Sequence, residues 1–308
     1  MRFLPEIAWS DERDVMQFLR NLVGLEKTSI STAPAPSLSP LSTTPSTHAR
    51  LEVGWATDVG EVRHHNEDAA LIITAAHGSG EATSAFGIFV LADGMGGHQA
   101  GEVASSLAAR VVAHHIVRQF YLPILISQEH DTYQPALNEV LVAAVQAANN
   151  AVAEQVPGGG TTLTCALVLG PRAYFAHVGD SRAYVVTEEG LDQITHDHSL
   201  VDRLVELGQL TRDEAAIHPQ KNVLYRAVGQ SGLLEVDTPV CTIPHGGRLL
   251  LCSDGLWSIV SEAEMLNIVT TAPSLQAACE SLVAAANRAG GPDNVTAILA
   301  KPPMGQDV

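Results

Sequence analysis

A chain of 308 residues that is 46% hydrophobic can bury one large core or two small ones, a scale that suits a globular enzyme. Its formal net charge of −17, from 34 Asp+Glu against 17 Lys+Arg, argues against a nucleic-acid backbone or an anionic membrane as the main partner and leaves carboxylates available for cations. Cys165, Cys241, Cys252 and Cys279 lie in or beside apolar runs with no CxxC pair, so they read as buried thiols in a reducing cytoplasm; no export signal or membrane span is expected.

Residues 1–27 form an N-terminal extension in which Ser10 caps a short helix with Val15, Phe18, Leu19, Leu22 and Val23 on one face. One such segment is marginal alone, so a partly ordered tail is favoured over a docking helix. Residues 28–50 are almost wholly Ser, Thr, Pro and Ala through position 48 and read as a flexible linker, because they cannot bury enough apolar surface to offset ordering entropy. A single domain then spans 51–302, with 303–308 as a tail. Within it, LEVGWA, AALIIT, FGIFVLA, LTCALVL, AYFAHVG, RAYVVT, RLLLC and VTAILA read as strands, and helical periodicity appears over 99–120, 135–155, 262–271 and 274–289. The strands come in runs, so stacked sheets covered by helices are expected rather than a parallel doubly wound sheet. Residues 194–229 interrupt the strand series with two short helices, VDRLVELG and TRDEAAI, and read as a flap at a binding rim.

Four aspartates stand beside strand ends next to glycine or asparagine: Asp93 in FVLADGMGGH, Asp180 in FAHVGDSRAY, Asp254 in LLLCSDGLW and Asp293 in GGPDNVTAIL. Any one alone is ordinary turn chemistry. Together, each tied to a buried run, they are expected at one edge of the core, where uncompensated negative charge would repel. Divalent cations resolve that conflict. Carboxylates, water and the Gly94 carbonyl suit Mg²⁺ or Mn²⁺, and two ions bridged by one aspartate would generate a hydroxide for in-line attack on phosphorus.

The segment TDVGEVRHHNEDAALIIT adds Arg63, whose guanidinium matches two phosphate oxygens, and Glu67 and Asp68, which suit hydrogen bonds from metal-bound waters. Asp58 reads equally as support for this shell or as a turn residue, and His64 and His65 as exposed turn residues.

With these residues in order, the chain resembles the metal-dependent protein phosphatases, the PPM or type 2C Ser/Thr phosphatases, and their compact bacterial members in particular. TDVGEVRHHNED, LADGMGGHQAGEVAS, GGGTTLT, HVGDSRAY, LCSDGLW and GGPDNVT carry the likeness over about residues 51–300. It implies an α-β-β-α sandwich of two central antiparallel sheets with a binuclear Mg²⁺ or Mn²⁺ centre, hydrolysing phosphoserine and phosphothreonine by direct attack of a metal-bridging hydroxide. Asp93, Asp254 and Asp293 match the ligands of the first ion, Asp93 and the Gly94 carbonyl those of the second, and Asp180 with Asp254 those of a weaker third. Where relatives carry HPQRS in the flap, this chain has HPQKN, so Asn222 replaces a serine near that third ion. Met95 stands where eukaryotic members have a histidine proposed as general acid; His98 comes later, and a water is favoured as the proton donor. The implied partners are phosphorylated proteins, a Ser/Thr kinase and its substrates among them, and a monomer is the default.

Two other readings stand beside this one. A catalytically silent phosphoprotein-binding scaffold would have lost a metal ligand, whereas Asp93, Asp254 and Asp293 all remain. A kinase is suggested only by glycine-rich loops, and GGGTT lacks the GK[ST] ending.

Overall fold

The structure, a computed structural model, describes residues 50–79, 82–96, 99–126 and 136–303. The expectations for the extension helix, the linker up to residue 49, His98 and residues 304–308 lie outside the described residues. The strands are β1 (Glu52–Asp58), β2 (Asp68–Ser79), β3 (Ala82–Met95), β4 (Gly160–Thr161), β5 (Leu163–Leu169), β6 (Arg172–Val178), β7 (Arg182–Val186), β8 (Leu191–Gln193), β9 (Val240–Thr242), β10 (Arg248–Cys252) and β11 (Val295–Lys301). The helices are α1 (Gln99–Ile116), α2 (Leu122–Ile126), α3 (Leu137–Gln155), α4 (Leu200–Glu206), α5 (Arg212–Ala216), α6 (Asp254–Trp257), α7 (Glu262–Thr271) and α8 (Leu275–Arg288), with a π-helical stretch, Val117–Tyr121, joining α1 to α2.

Strand pairing is antiparallel throughout two sheets, one ordered β1-β11-β10-β7-β8 and the other β2-β3-β5-β6-β9, with β4 on β3. Side-chain alternation sorts each strand between two cores. Phe89 and Leu91 of β3 meet Leu249 and Leu251 of β10 between the sheets, whereas Ile88 and Val90 pack outward against Ala104, Ala108, Val112, Leu141 and Ala148 of α1 and α3. On the opposite side, Leu250 and Cys252 of β10 pack outward against Met265 of α7 and Cys279 and Leu282 of α8. The molecule is therefore the four-layer α-β-β-α sandwich, and the continuous apolar runs reflect sheets covered on both faces.

The helix expected over 99–120 ends as a regular α-helix at Ile116 and continues through the π-helical stretch. Strand β3 runs further than its apolar part, through Asp93 and Gly94 to Met95, because β4 pairs with its last two residues. Residues 194–229 carry both expected helices: Ser199 caps α4 by accepting from the Asp202 N–H, and Thr211 with Glu214 forms a reciprocal capping box on α5.

Candidate active site

The ends of β3, β6, β10 and the start of β11 come together at one end of the sandwich. A cavity of about 240 Å³ there is lined by Arg63, Glu67, Asp93, Gly94, Thr162, Asp180, Asn222, Asp254 and Asp293 among others. The four aspartates read from the sequence are thus in one place. Asp93 faces Asp68 directly across the β2–β3 ladder. Its backbone is fixed by the GGGTTLT segment: the Thr162 hydroxyl accepts from the Asp93 N–H at 2.9 Å, and the Thr162 N–H and Thr161 hydroxyl donate to the Asp93 carbonyl, both at 2.8 Å. Asp254 opens the short helix α6, and Asp180 lies between β6 and β7. Asp293 precedes β11 and accepts from the Asn294 N–H at 2.9 Å, a turn that aims its other oxygen at Arg63.

The electrostatics are those of crowded negative charge. Burial, and then the charges of Asp254 and Asp197, push the Asp180 carboxyl up to about 8. Asp254 is raised to about 6 by burial and then by Asp293, although a hydrogen bond with the Asp93 carboxyl opposes the shift. A bond between two carboxyl groups requires one of them to hold a proton. Burial raises Asp93 well above the carboxylate range, helped by Asp68, Asp254, Asp180 and Asp293. Asp68 is pushed up to about 7 by burial, against hydrogen bonds to one of its oxygens from Ser253 at 2.8 Å and Thr296 at 2.6 Å. Its other oxygen, Oδ1, is buried without a hydrogen-bond partner. A buried carboxylate oxygen with nothing to receive, beside three more acids, is what a site for hard cations and their waters looks like when only protein atoms are present. Among the described residues, no three acidic, His or Cys side chains are arranged as a closed metal-binding group.

Arg63 is the cationic side chain lining this cleft, and its guanidinium donates to Asp293 Oδ2 at 2.7 Å. Glu67 reaches the start of α1, its carboxylate lying where a Cβ on Gly101 would stand. Gly94 is similarly pressed between the backbones of Gly101 and Glu67. Asp58 lies away from the cleft lining and serves as a turn residue, accepting from the Gly60 N–H at 2.9 Å and from Asn287 at 3.0 Å. His64 and His65 are exposed.

Several residues at the site escape a reading of the sequence. Asn294 donates to the Val59 and His65 carbonyls at 2.9 and 2.8 Å and accepts from the Glu67 N–H at 2.8 Å, so it shapes the whole loop that carries Arg63. Ser253 and Thr296 hold Asp68 from 185 and 228 residues away. The only signal for Asn294 is its place after Asp293 in PDN, which reads equally as a turn.

Two helix-covered antiparallel sheets with an acidic cleft at one end define a class of hydrolase that works through divalent ions. Residues 64–299 match the family described as protein phosphatase 2C. The chain is 38% identical over 250 residues to the serine/threonine phosphatase Stp of Listeria innocua, covering 81% of this chain and 95% of that protein. It is 35% identical over 259 residues to the protein phosphatase PhpP of Streptococcus pneumoniae, covering 81% and 96%. The crystal structure of the Mycobacterium tuberculosis serine/threonine phosphatase PstP superposes with a TM-score of 0.68 at 37% identity over 82% of this chain and 99% of that one. A catalytic domain of PstP solved with two manganese ions gives 0.65 at 36% identity over 82% and 97%. The chain belongs to the protein phosphatase 2C family and is an enzyme, a metal-dependent protein serine/threonine phosphatase.

Proposed function

We propose that this phosphatase hydrolyses phosphoserine and phosphothreonine at a binuclear Mn²⁺ or Mg²⁺ centre and opposes a Ser/Thr kinase. The observation that carries the reading is the convergence of Asp93, Asp180, Asp254 and Asp293 on one cleft with Arg63 as the counter-charge. Asp93, Asp254 and Asp293 would hold the first ion, Asp93 and the Gly94 carbonyl the second, and Asp180 with Asp254 a weaker third. When bound, the ions would lower the pKa of a water so that it gives up a proton and becomes a nucleophile for phosphorus, and would supply positive charge for the phosphoryl oxygens. Glu67 and Asp68 orient water at the cleft floor, Asp68 through its free oxygen. Arg63, half exposed at its tip, exchanges its Asp293 contact for two phosphoryl oxygens when substrate arrives. Met95 stands directly after the Asp93-Gly94 pair at the cleft, and we place water as the donor of the proton to the departing serine or threonine oxygen. The catalytic unit is 51–302, with 194–229 as its rim.

The decisive experiment measures release of phosphate from a phosphothreonine peptide and from a chromogenic monoester with Mn²⁺, with chelator, and in Asp93→Ala. Turnover that vanishes with chelator and falls at least about a hundredfold in Asp93→Ala is expected. Activity indifferent to chelator overturns the mechanism. Phosphopeptide binding without turnover would favour the scaffold reading instead.

A further inference from the structure

Asp180 sits at the tip of a tight connection between β6 and β7. So short a turn cannot by itself aim a buried carboxylate, yet Asp180 is only 7% exposed. The Thr162 hydroxyl lies 2.8 Å from that of Ser181 and the Thr164 hydroxyl donates to the Ser181 carbonyl at 3.0 Å, and two further sets of contacts reach the turn from elsewhere. Both start from adjacent residues at the root of the flap.

On one flank, Gly179 and His198 exchange two hydrogen bonds. The His198 N–H donates to the Gly179 carbonyl at 2.7 Å, and the Gly179 N–H donates to His198 Nδ1 at 3.1 Å. With Nδ1 accepting, the neutral ring carries its proton on Nε2, which faces Asp237 Oδ2 at 3.2 Å; Arg226 Nη1, also 3.2 Å from Nε2, then donates to Asp237 Oδ1 at 3.1 Å and not to the ring. Burial holds the imidazole below its usual pKa, which keeps the accepting lone pair available. The same residue receives the returning arm of the flap, since the Tyr225 N–H donates to the His198 carbonyl at 2.9 Å.

On the other flank, Asp197 grips the Arg182 guanidinium through contacts of 2.8 to 3.1 Å. That guanidinium lies 3.6 Å from the centre of the Trp257 ring. Trp257 Nε1 in turn donates to the Asp180 carbonyl at 3.0 Å. Stacking and a two-pronged ion pair make this a stiff connection rather than a surface charge contact.

We propose that Asp197 and His198 are positioning residues: the root of the flap clamps the Asp180 turn from both sides, so the carboxylate's place in the cleft and the flap's place above it are set together. His198 lines neither the carboxylate cleft nor the adjoining cavity of about 570 Å³, whereas Asp197 lines that cavity together with Asp180, Asp254 and Asp293. The functional consequence rests on the reading of Asp180 as a ligand of the weaker ion, and by linkage it runs both ways: displacing the flap loosens Asp180, and fixing Asp180 steadies the flap.

The test uses the full chain and four variants: Asp197→Asn, His198→Leu, His198→Asn, which keeps an acceptor oxygen where Nδ1 stands, and Asp180→Asn. Amide hydrogen exchange of the metal-free protein is the first readout. Exchange over 179–181 and over 200–216 should rise about tenfold or more in Asp197→Asn and His198→Leu, return toward wild type in His198→Asn, and stay unchanged in β10 and β11. Unaltered exchange at 179–181 in both variants overturns the clamp, as does a uniform rise across the chain. The second readout is the Mn²⁺ concentration for half-maximal turnover of a chromogenic monoester, expected to rise about tenfold in His198→Leu with KM little changed and to recover in His198→Asn. Asp180→Asn with a wild-type Mn²⁺ dependence would remove Asp180 from the ligand set, while the exchange result would still decide the clamp.

Discussion

Asn294 shows how much can rest on one amide. It is 5% exposed, and its carboxamide satisfies the Glu67 N–H and the Val59 and His65 carbonyls, three backbone groups of a loop with no regular structure of its own. Truncation removes three hydrogen bonds at once, and a buried polar group left unsatisfied costs about 1–3 kcal/mol. Asn294→Ala is therefore expected to lose about 3 kcal/mol of stability in urea unfolding and to lower turnover, because the loop also carries Arg63. A loss under about 1 kcal/mol would show that the loop is held by something else. The aspartates beside it were legible in the sequence because four of them, each tied to a buried apolar run, are too many to be separate turns, although any one alone reads as a turn. Asn294, Ser253 and Thr162 were not, because an amide or hydroxyl acquires its role only from partners brought in by the fold.

Helix α8 lies on β1 so closely that an added Cβ on Gly54 would overlap the Leu275 backbone. Gln276 then pairs with the outer edge of that strand, accepting from the Trp55 N–H at 3.1 Å and donating to its carbonyl at 2.9 Å. One side chain thus occupies hydrogen-bonding groups that an edge strand would otherwise offer to another chain. Gly54→Ala forces the helix off the sheet and is expected to cost about 1–3 kcal/mol, whereas Gly190→Ala, with open space around it, should stay within about 0.5 kcal/mol of wild type. Equal melting temperatures for the two variants would refute this packing argument. At this scale the long elements were readable from their periodicity. The short strands β4, β8 and β9, of two or three residues each, were not: they exist because a neighbouring strand offers them partners, not because of their own composition. The same holds for the extension of β3 through Asp93, which places that carboxylate on the sheet itself and opposite Asp68.

For the molecule as a whole, the acidic cleft ties folding stability to pH and to metal. Asp68 and Asp180 titrate near 7 and 8 in the folded state, raised by burial first, against 3.8 for an ordinary aspartate. The native, metal-free protein consequently keeps protons there that the unfolded chain has released. Stability from these groups is present at low pH and is lost as pH rises through their folded values. His177 works in the opposite sense. Buried and pushed down to about 3 by burial, it stabilises the fold above its ordinary 6.5 and not below, so it contributes no slope above that pH. The window from about pH 6.5 to about pH 7.5, below the range in which cysteines of the unfolded chain ionise, therefore isolates the carboxylates, and a tenfold difference in proton affinity between the folded and unfolded chain is worth about 1.4 kcal/mol. The chelated protein should melt at a lower temperature at the upper end of that window. Divalent ions invert the slope, since ligands must be ionised to bind and binding to the native state alone adds stability that grows with pH. Melting curves with chelator and with excess Mn²⁺ at both ends of the window check this directly. Parallel pH trends in the two series would mean that the clustered aspartates neither share protons nor hold the ions.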